Sequence, residues 1–326
     1  MSPLLNKSII VLAAMGLTIA QTKNGASQES YPNRAIWMIV PLPAGGAPDA
    51  VTRAIASKLA AKWSQPVQIE NRPGFVLNIG AEAVAKAAPD GYTFLSTPPG
   101  PLVTNQFLQS QLNYDARAFV PVTVIVKFPF ILLTHARSPF TTLEELIAFA
   151  KANPGKLNFA SPGIGSPPHL AGEMLKAKAG IQLSHVPYKG LEPALADLLG
   201  GHVDLMFHVV NDTLEHIQSG KLKALGVGAE NRIPELQNAP AIAELLPDFV
   251  ATTWIAVVAP PKTPPAIIEK MSQAIGEAVR SPEVAERFRA GGMTPVGATP
   301  EETATFLRQE TDRWREVITN AGLKPQ

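Results

Sequence analysis

Two glycine turns, each followed by a helix-like run, carry the residues of this chain whose types and spacing could do chemistry. The first is Pro43-Ala44-Gly45-Gly46 with Asp49 beyond it; the second is Gly163-Ile164-Gly165-Ser166 with His169 beyond it. Each follows a short apolar run of strand type, Ile36 to Val40 and Leu157 to Ala160. A strand, a glycine turn and a helix start leave several backbone N–H groups pointing one way, and the helix dipole adds its field to theirs. That arrangement suits an anion bound by neutral donors. Glycine at 45 and 46 lets a ligand approach the backbone, because no Cβ intervenes. A single such turn also serves as an ordinary strand-to-helix connection, so the weight of the pattern lies in its recurrence. The spacing predicts that Asp49 caps the first helix, whose inward stripe is Val51, Ile55 and Leu59. It predicts that Ser166 caps the second, with Pro167 at its first position.

Three further side chains are placed where a ligand could meet them. Thr97 ends a strand-type run, Tyr188 precedes a helix, and His208 stands at the end of the run Val203 to Phe207. A neutral imidazole at 208 would donate and accept, and a protonated one would favour an anion.

Other chemistries are excluded or poorly supported. No Gly-x-Gly-x-x-Gly occurs at the first turn, and no Lys-Ser/Thr follows its glycines, so dinucleotide and P-loop readings are weak. The chain has no cysteine, which removes a thiol nucleophile, a disulfide framework and a Cys-ligated zinc. Its six histidines are scattered without metal-ligand spacing. No metal and no cofactor is expected. Gly165-Ser166-Pro167 is not a nucleophile elbow, and Ser166 and His169 on one helical turn make a poor nucleophile–base pair. An esterase-type hydrolase is therefore the weakest reading. Lys and Arg number 28 against 27 Asp and Glu, so no basic stripe argues for nucleic acid.

The elements that must position the two turns alternate between strand and helix. Val67 to Glu70 reads as a strand, Ile79 to Ala88 as a small-residue helix, and Tyr92 to Ser96 as a strand. Such alternation implies right-handed crossovers and a mainly parallel sheet, with ligands outside the carboxyl ends of the strands. The loops at 41–48 and 97–100 both belong to that edge. Phe119 to Thr134 reads as two strands or as one extended segment between domains. Thr142 and Glu145 form a capping box. Helices are expected at 192–199, 213–219, 266–280 and 301–320, and strands at 203–207, 223–227 and 253–259. With 326 residues the chain has room for two domains.

At the N-terminus, Lys7 precedes a 13-residue apolar run, Ser8 to Ala20, and then a polar stretch. The run is short for a bilayer span and fits a secretory signal over residues 1–20, with cleavage there or as late as 26.

The ordered set of segments resembles the Bug family of extracytoplasmic solute receptors, the binding components of tripartite tricarboxylate transporters. Carrying the resemblance are Tyr31-Pro32, Ile39 to Gly46 with Asp49, Val67 to Gly74, Asn78 to Ala81 and Pro89 to Thr93. Further on come Ala150 to Leu157, Gly165-Ser166 with His169 to Glu173, His185 to Gly190, Asp197 to Phe207 and Thr299 to Glu302. The resemblance implies an α/β type II periplasmic-binding-protein fold, two α/β domains with a ligand cleft between them. It implies one domain from 31–131 with 251–326 and another from 132–250. It implies a monomeric, periplasmic, non-enzymatic receptor that takes a small carboxylate or its amide between Leu42–Asp49 and Ser161–His169. Integral-membrane transporter subunits would be its partners; a receptor presenting the solute to a membrane signalling partner is the alternative. The chain departs from the family at Phe75-Val76-Leu77, usually glycine-rich, at Thr97 to Leu102, usually small and polar, and at His208-Val209-Val210, usually Asp-Asn after the strand. These departures imply a more apolar pocket, suited to an apolar or aromatic acid.

Overall fold

The structure, a computed structural model, describes residues 31–325. The expected signal segment lies outside the described residues. The chain opens with β1 (Ile36–Val40), α1 (Ala47–Trp63), β2 (Val67–Asn71), α2 (Asn78–Ala85) and β3 (Thr93–Thr97). β1 runs parallel to both β2 and β3, as the alternation of strand and helix requires. A π-helical turn, Gly100–Thr104, and a four-residue helix, α3 (Asn105–Leu108), follow.

β4 (Val120–His135) is a single strand of 16 residues that serves two sheets. From Val120 to Pro129 it pairs antiparallel with β9 (Thr252–Ala259), which also pairs with β3. From Phe130 onward it pairs instead with the strands of the second unit. Pro121 and Pro129 fall at a register shift and at the change of partner, where a missing N–H is tolerated. The switch is fastened by three backbone bonds: Phe130 N–H to Ala251 O (3.0 Å), Gly228 N–H to Phe130 O (2.7 Å) and Ala251 N–H to Gly228 O (2.9 Å). A Cβ at Gly228 would lie 2.5 Å from Ala251 O, so this junction closes only around glycine.

The second unit comprises α4 (Leu143–Ala152), β5 (Asn158–Ser161), α5 (Pro167–Ala179), β6 (Ser184–Pro187), α6 (Leu191–Gly200), β7 (Leu205–Val209), α7 (Leu214–Gln218) and β8 (Leu222–Val227). β5 is parallel to β6 and β7, and β4 lies antiparallel to both β7 and β8. The Thr142–Glu145 capping box is formed. The chain then returns through β9 to α8 (Pro265–Arg280), α9 (Pro282–Ala290), β10 (Thr294–Pro295) and α10 (Pro300–Asn320).

Several elements escape the sequence reading, among them the π-helical turn at 100–104 and the four-residue α3. α9 restarts within two residues of α8, because Ser281 turns extended and Pro282 opens a new helix. β6 is a four-residue edge strand, and β10 has two residues, both too short to show a period. A further difference concerns α1. Its N-cap is Gly46, and Asp49 sits in the first turn with its side chain folded back.

One apolar cluster packs β1, β3 and β9 against α1, α8 and α9 through Met38, Ile55, Phe94, Met271 and Phe288. A second runs from Leu95 through Trp254 and Trp314 to Phe159 and Leu170, and so joins both units. Inside it, the Glu310 carboxylate of α10 accepts from the indole N–H groups of Trp254 (2.9 Å) and Trp314 (3.1 Å) and from Arg313. Trp254 is thus core, with its polar edge satisfied.

Candidate ligand-binding site

The two glycine turns lie after β1 and β5, at the carboxyl ends of parallel strands. In the first, Pro43 to Ala47 are exposed. Gly45 has φ +93°. Asp49 is buried and fully engaged: it accepts from Gly45 N–H (3.0 Å), Arg53 Nε (2.8 Å) and Asn71 Nδ2 (3.0 Å). Arg53, foremost, then these two donors, hold its carboxyl down to about 2 despite burial. Asp49 therefore shapes the turn from beneath. The N–H groups of Gly46, Ala47 and Asp49 stay without partners among the described residues, since no carbonyl stands four residues back.

The second turn is wired differently. Ser166 caps α5 as expected, accepting from His169 N–H (3.4 Å) and donating to Gly163 O (2.7 Å). Pro167 and Pro168 have no N–H at all, and Ser166 N–H goes to Gly163 O (3.3 Å). Gly163 N–H goes to Ser161 Oγ (3.2 Å), and Gly165 N–H to His169 Nδ1 (3.0 Å). The start of α5 thus offers no free helix N–H to an anion. The first helix start has free N–H groups and the second has none, because two prolines and a serine cap consume or remove them.

His169 is 2% exposed and stacks on His185, ring centroids 3.9 Å apart, with Phe159 beyond. Burial first, then His185 and Lys176, push His169 down to about 3; burial and Lys176 push His185 to about 4. Both rings are neutral, so Nδ1 of His169 is free to accept the Gly165 N–H. Ser161 Oγ lies 2.7 Å from His185 Nε2, with Ser161 fully buried and His185 half-buried.

Of the remaining candidates, Thr97 is buried within the sheet, its hydroxyl donating to Pro98 O (3.1 Å). His208 is buried in β7, and burial pushes its imidazole below the usual range. Tyr188 donates to Asp197 (2.6 Å), which pushes its phenol up to about 12, and its carbonyl lies beside Gly163.

A cavity of about 350 Å³ lies where the turn after β3 faces the turn after β5. Gly163, Gly165 and Ser166 line it; Pro43, Ala44, Gly45, Gly46, Asp49, Thr97, His169, Tyr188 and His208 do not. The opposite wall consists of Val76, Leu77, Pro98, Pro99, Thr104 and Leu108, with Asn105 and Gln109 between them and Lys324 from the end of the chain. Leu108 reaches across the cavity: a Cβ on Gly165 would stand 2.9 Å from its Cδ1. The sequence flagged segments 75–77 and 97–102 through their departures from the family. It gave no signal for Thr104, Leu108, Gln109 or Lys324, which lie on a short helix, the turns flanking it and the chain end.

Phe75, Val76 and Leu77 all have positive φ, +41°, +53° and +71°. Left-handed backbone costs an L-residue about 1–2 kcal/mol, and more for a β-branched one. The segment is held there by Asn105, whose Nδ2 donates to Val76 O (2.8 Å) and Asn78 Oδ1 (2.7 Å), and by Tyr114, which donates to Asn78 Oδ1 (2.8 Å). Phe75 and Val76 are left 63% and 56% exposed, and Ile164 on the facing turn 55%.

Two α/β units sharing one crossing strand, with a cavity at the strand ends between them, define a solute-binding protein. Residues 51–323 match the tripartite tricarboxylate transporter family receptor, and the chain belongs to that family. It is 40% identical to Protein BugT of Bordetella pertussis (strain Tohama I) over 319 residues, 96% of this chain and 98% of that protein. Among solved structures, R. palustris Rpa4515 with adipate matches at 32% identity and TM-score 0.77, covering 91% of this chain and all of that one. MatC from Rhodopseudomonas palustris with bound malate matches at 30% identity and TM-score 0.72, covering 88% of this chain and 100% of that one. The family is one of substrate-binding receptors, not enzymes. Among the described residues no helix is long and apolar enough to cross a membrane, and no cluster of three or more side chains is set to hold a metal.

Proposed function

We propose that this chain captures a small carboxylate, with an apolar body or as its amide, outside the cytoplasmic membrane and delivers it to the membrane subunits of a tripartite transporter. One observation carries the reading: the cavity between the turns after β3 and β5 joins an apolar wall to Lys324, the one charged side chain in its lining among the described residues. The ligands of two structural relatives, adipate and malate, support the carboxylate. Gly163, Gly165 and Ser166 serve at the ligand directly. The free N–H groups of Gly46, Ala47 and Asp49 give the first turn, Pro43 to Gly46, a donor set that domain closure brings to the anion. Asp49, Thr97, His169, Tyr188 and His208 act as supports behind these surfaces. The reading takes 31–131 with 251–326 as one lobe and 132–250 as the other, and the change of partner along β4 supports that division.

Native mass spectrometry of the purified protein, with identification of released small molecules, followed by titration calorimetry with carboxylates, tests the reading. One carboxylate bound per chain is expected. Binding of sugars or amines with no carboxylate would contradict it. A sensing role would show as tight binding without uptake: transport of the bound acid in cells that depends on this chain favours delivery.

A further inference from the structure

We infer that this site selects acids with one carboxylate and an apolar body over short dicarboxylates, and that Lys324, Thr104 and the facing apolar residues Val76, Leu77 and Ile164 set that choice. The inference rests on the carboxylate-receptor reading above and narrows its ligand class.

The polar supply of the cavity is small. The start of α5 has no free helix N–H to give, for the reasons already described, and Gly163 and Gly165 spend theirs on Ser161 and His169. Ser166 Oγ is engaged on Gly163 O. Asn105 Nδ2 is engaged on Val76 O and Asn78. Among the lining side chains, three polar groups remain uncommitted within the described residues: the Lys324 ammonium, the Gln109 amide and the Thr104 hydroxyl. Thr104 is 4% exposed as a residue, and its hydroxyl has no hydrogen-bond partner among the described residues, yet the oxygen itself is not among the buried unpartnered atoms and is open to the cavity. An accessible hydroxyl at this wall can donate to or accept from a ligand oxygen.

Lys324 is held at the cavity by the way α10 ends. Gly322 turns left-handed at φ +65°, and Leu323 N–H returns to Ile318 O (3.1 Å). Leu323 packs on the core beside it. The ammonium is thereby presented from an anchored turn, with no carboxylate within ion-pair distance among the described residues.

A lining with one charged side chain among the described residues matches one carboxylate, and on closure the first-turn N–H groups converge on that same group. A second carboxylate on a short ligand would meet Val76, Leu77, Pro98 and Pro99, and Ile164 from the other side. An ionised group against such a wall loses its water without gaining a partner, which costs several kcal/mol unless it neutralises. An aryl or alicyclic body instead buries its apolar surface there. The exposed Val76 and Ile164 are then the two edges that come together over it.

The test is titration calorimetry of the purified chain with benzoate, cyclohexanecarboxylate, adipate and malate, repeated on Lys324→Gln, Thr104→Val, Ile164→Ser and the remote control Lys221→Gln. Benzoate or cyclohexanecarboxylate should bind at least about tenfold more tightly than adipate or malate. Lys324→Gln should weaken that binding about tenfold or more, the scale of one charge-assisted hydrogen bond, with Lys221→Gln unchanged. Thr104→Val should weaken it about threefold to tenfold, and Ile164→Ser should narrow the gap between mono- and dicarboxylates. Circular dichroism of each variant confirms its fold. Adipate or malate binding as tightly as the monocarboxylates, or Lys324→Gln without effect, would overturn the inference and leave the carboxylate receptor standing. Failure of all four acids, with binding of non-acids, would overturn both.

Discussion

The backbone N–H of Gly165 donates to Nδ1 of His169 at 3.0 Å, and this bond decides what the second turn can offer a ligand. It fixes the turn from inside and withdraws a donor from the cavity. It also requires a neutral imidazole, which burial between Phe159 and His185 supplies.

The first prediction concerns pH. His169 and His185 are pushed from an ordinary 6.5 to about 3 and about 4. Below 6.5 the unfolded chain binds protons at these rings that the folded chain refuses. Their contribution to stability is therefore complete above pH 6.5 and is lost progressively as pH falls toward the folded values. The urea midpoint should drop between about pH 7 and about pH 4, and His169→Gln, which keeps an acceptor but no titrating group, should show a shallower drop. An identical pH slope in wild type and variant would refute the assignment.

The two turns should respond differently to added side chains. At Gly46 (φ −73°) the nearest atom to a new Cβ is 3.8 Å away, so Gly46→Val should cost under about 0.5 kcal/mol of stability. At Gly165, φ +77° and the Leu108 contact should make Gly165→Val cost about 2 kcal/mol or more. Benzoate titration then separates the roles: Gly46→Val weakens binding only if the first turn reaches the ligand. Thermal melts that rank the two variants the other way would contradict the geometry.

Removing the Glu310 carboxylate strands two buried indole N–H groups. Glu310→Ala should lose about 3 kcal/mol and lower the unfolding midpoint by at least about 5 °C. Glu310→Gln keeps an oxygen for both indoles and should lose less than half as much. Equal losses in the two variants would show that packing, not the bonds to Trp254 and Trp314, is at stake.

The left-handed run at 75–77 predicts a trade. Val76→Asn places a residue that tolerates left-handed backbone, and stability should rise by up to about 1 kcal/mol. Affinity for benzoate should fall as the apolar edge is lost. A stability loss on this substitution would argue against strain at Val76.

Much of this architecture is legible in the letters. Strand–glycine–helix patterning placed both turns after strands, and the Thr142–Glu145 capping box and Pro–Gly punctuation marked many element ends. What stayed hidden depends on contacts distant in sequence. Asp49 has the right type and spacing for a cap, but Asn71 and Arg53 draw its side chain inward. His169 has the right position for a ligand contact, but the ring of His185 covers it. Two consecutive prolines after Ser166 could have warned that the second helix start lacks donors, since proline has no N–H. Lys324 could not be placed, because nothing local says where a chain end folds back.

Amide hydrogen exchange, measured with and without saturating benzoate, tests the central claim most directly. The account predicts slowed exchange in segments 98–109 and 162–167 and at 323–324, with further protection at Gly46 and Ala47 on closure. Protection confined to another surface, such as the groove between Phe119 and Leu307, would show that the ligand does not sit between the two turns and would contradict the account.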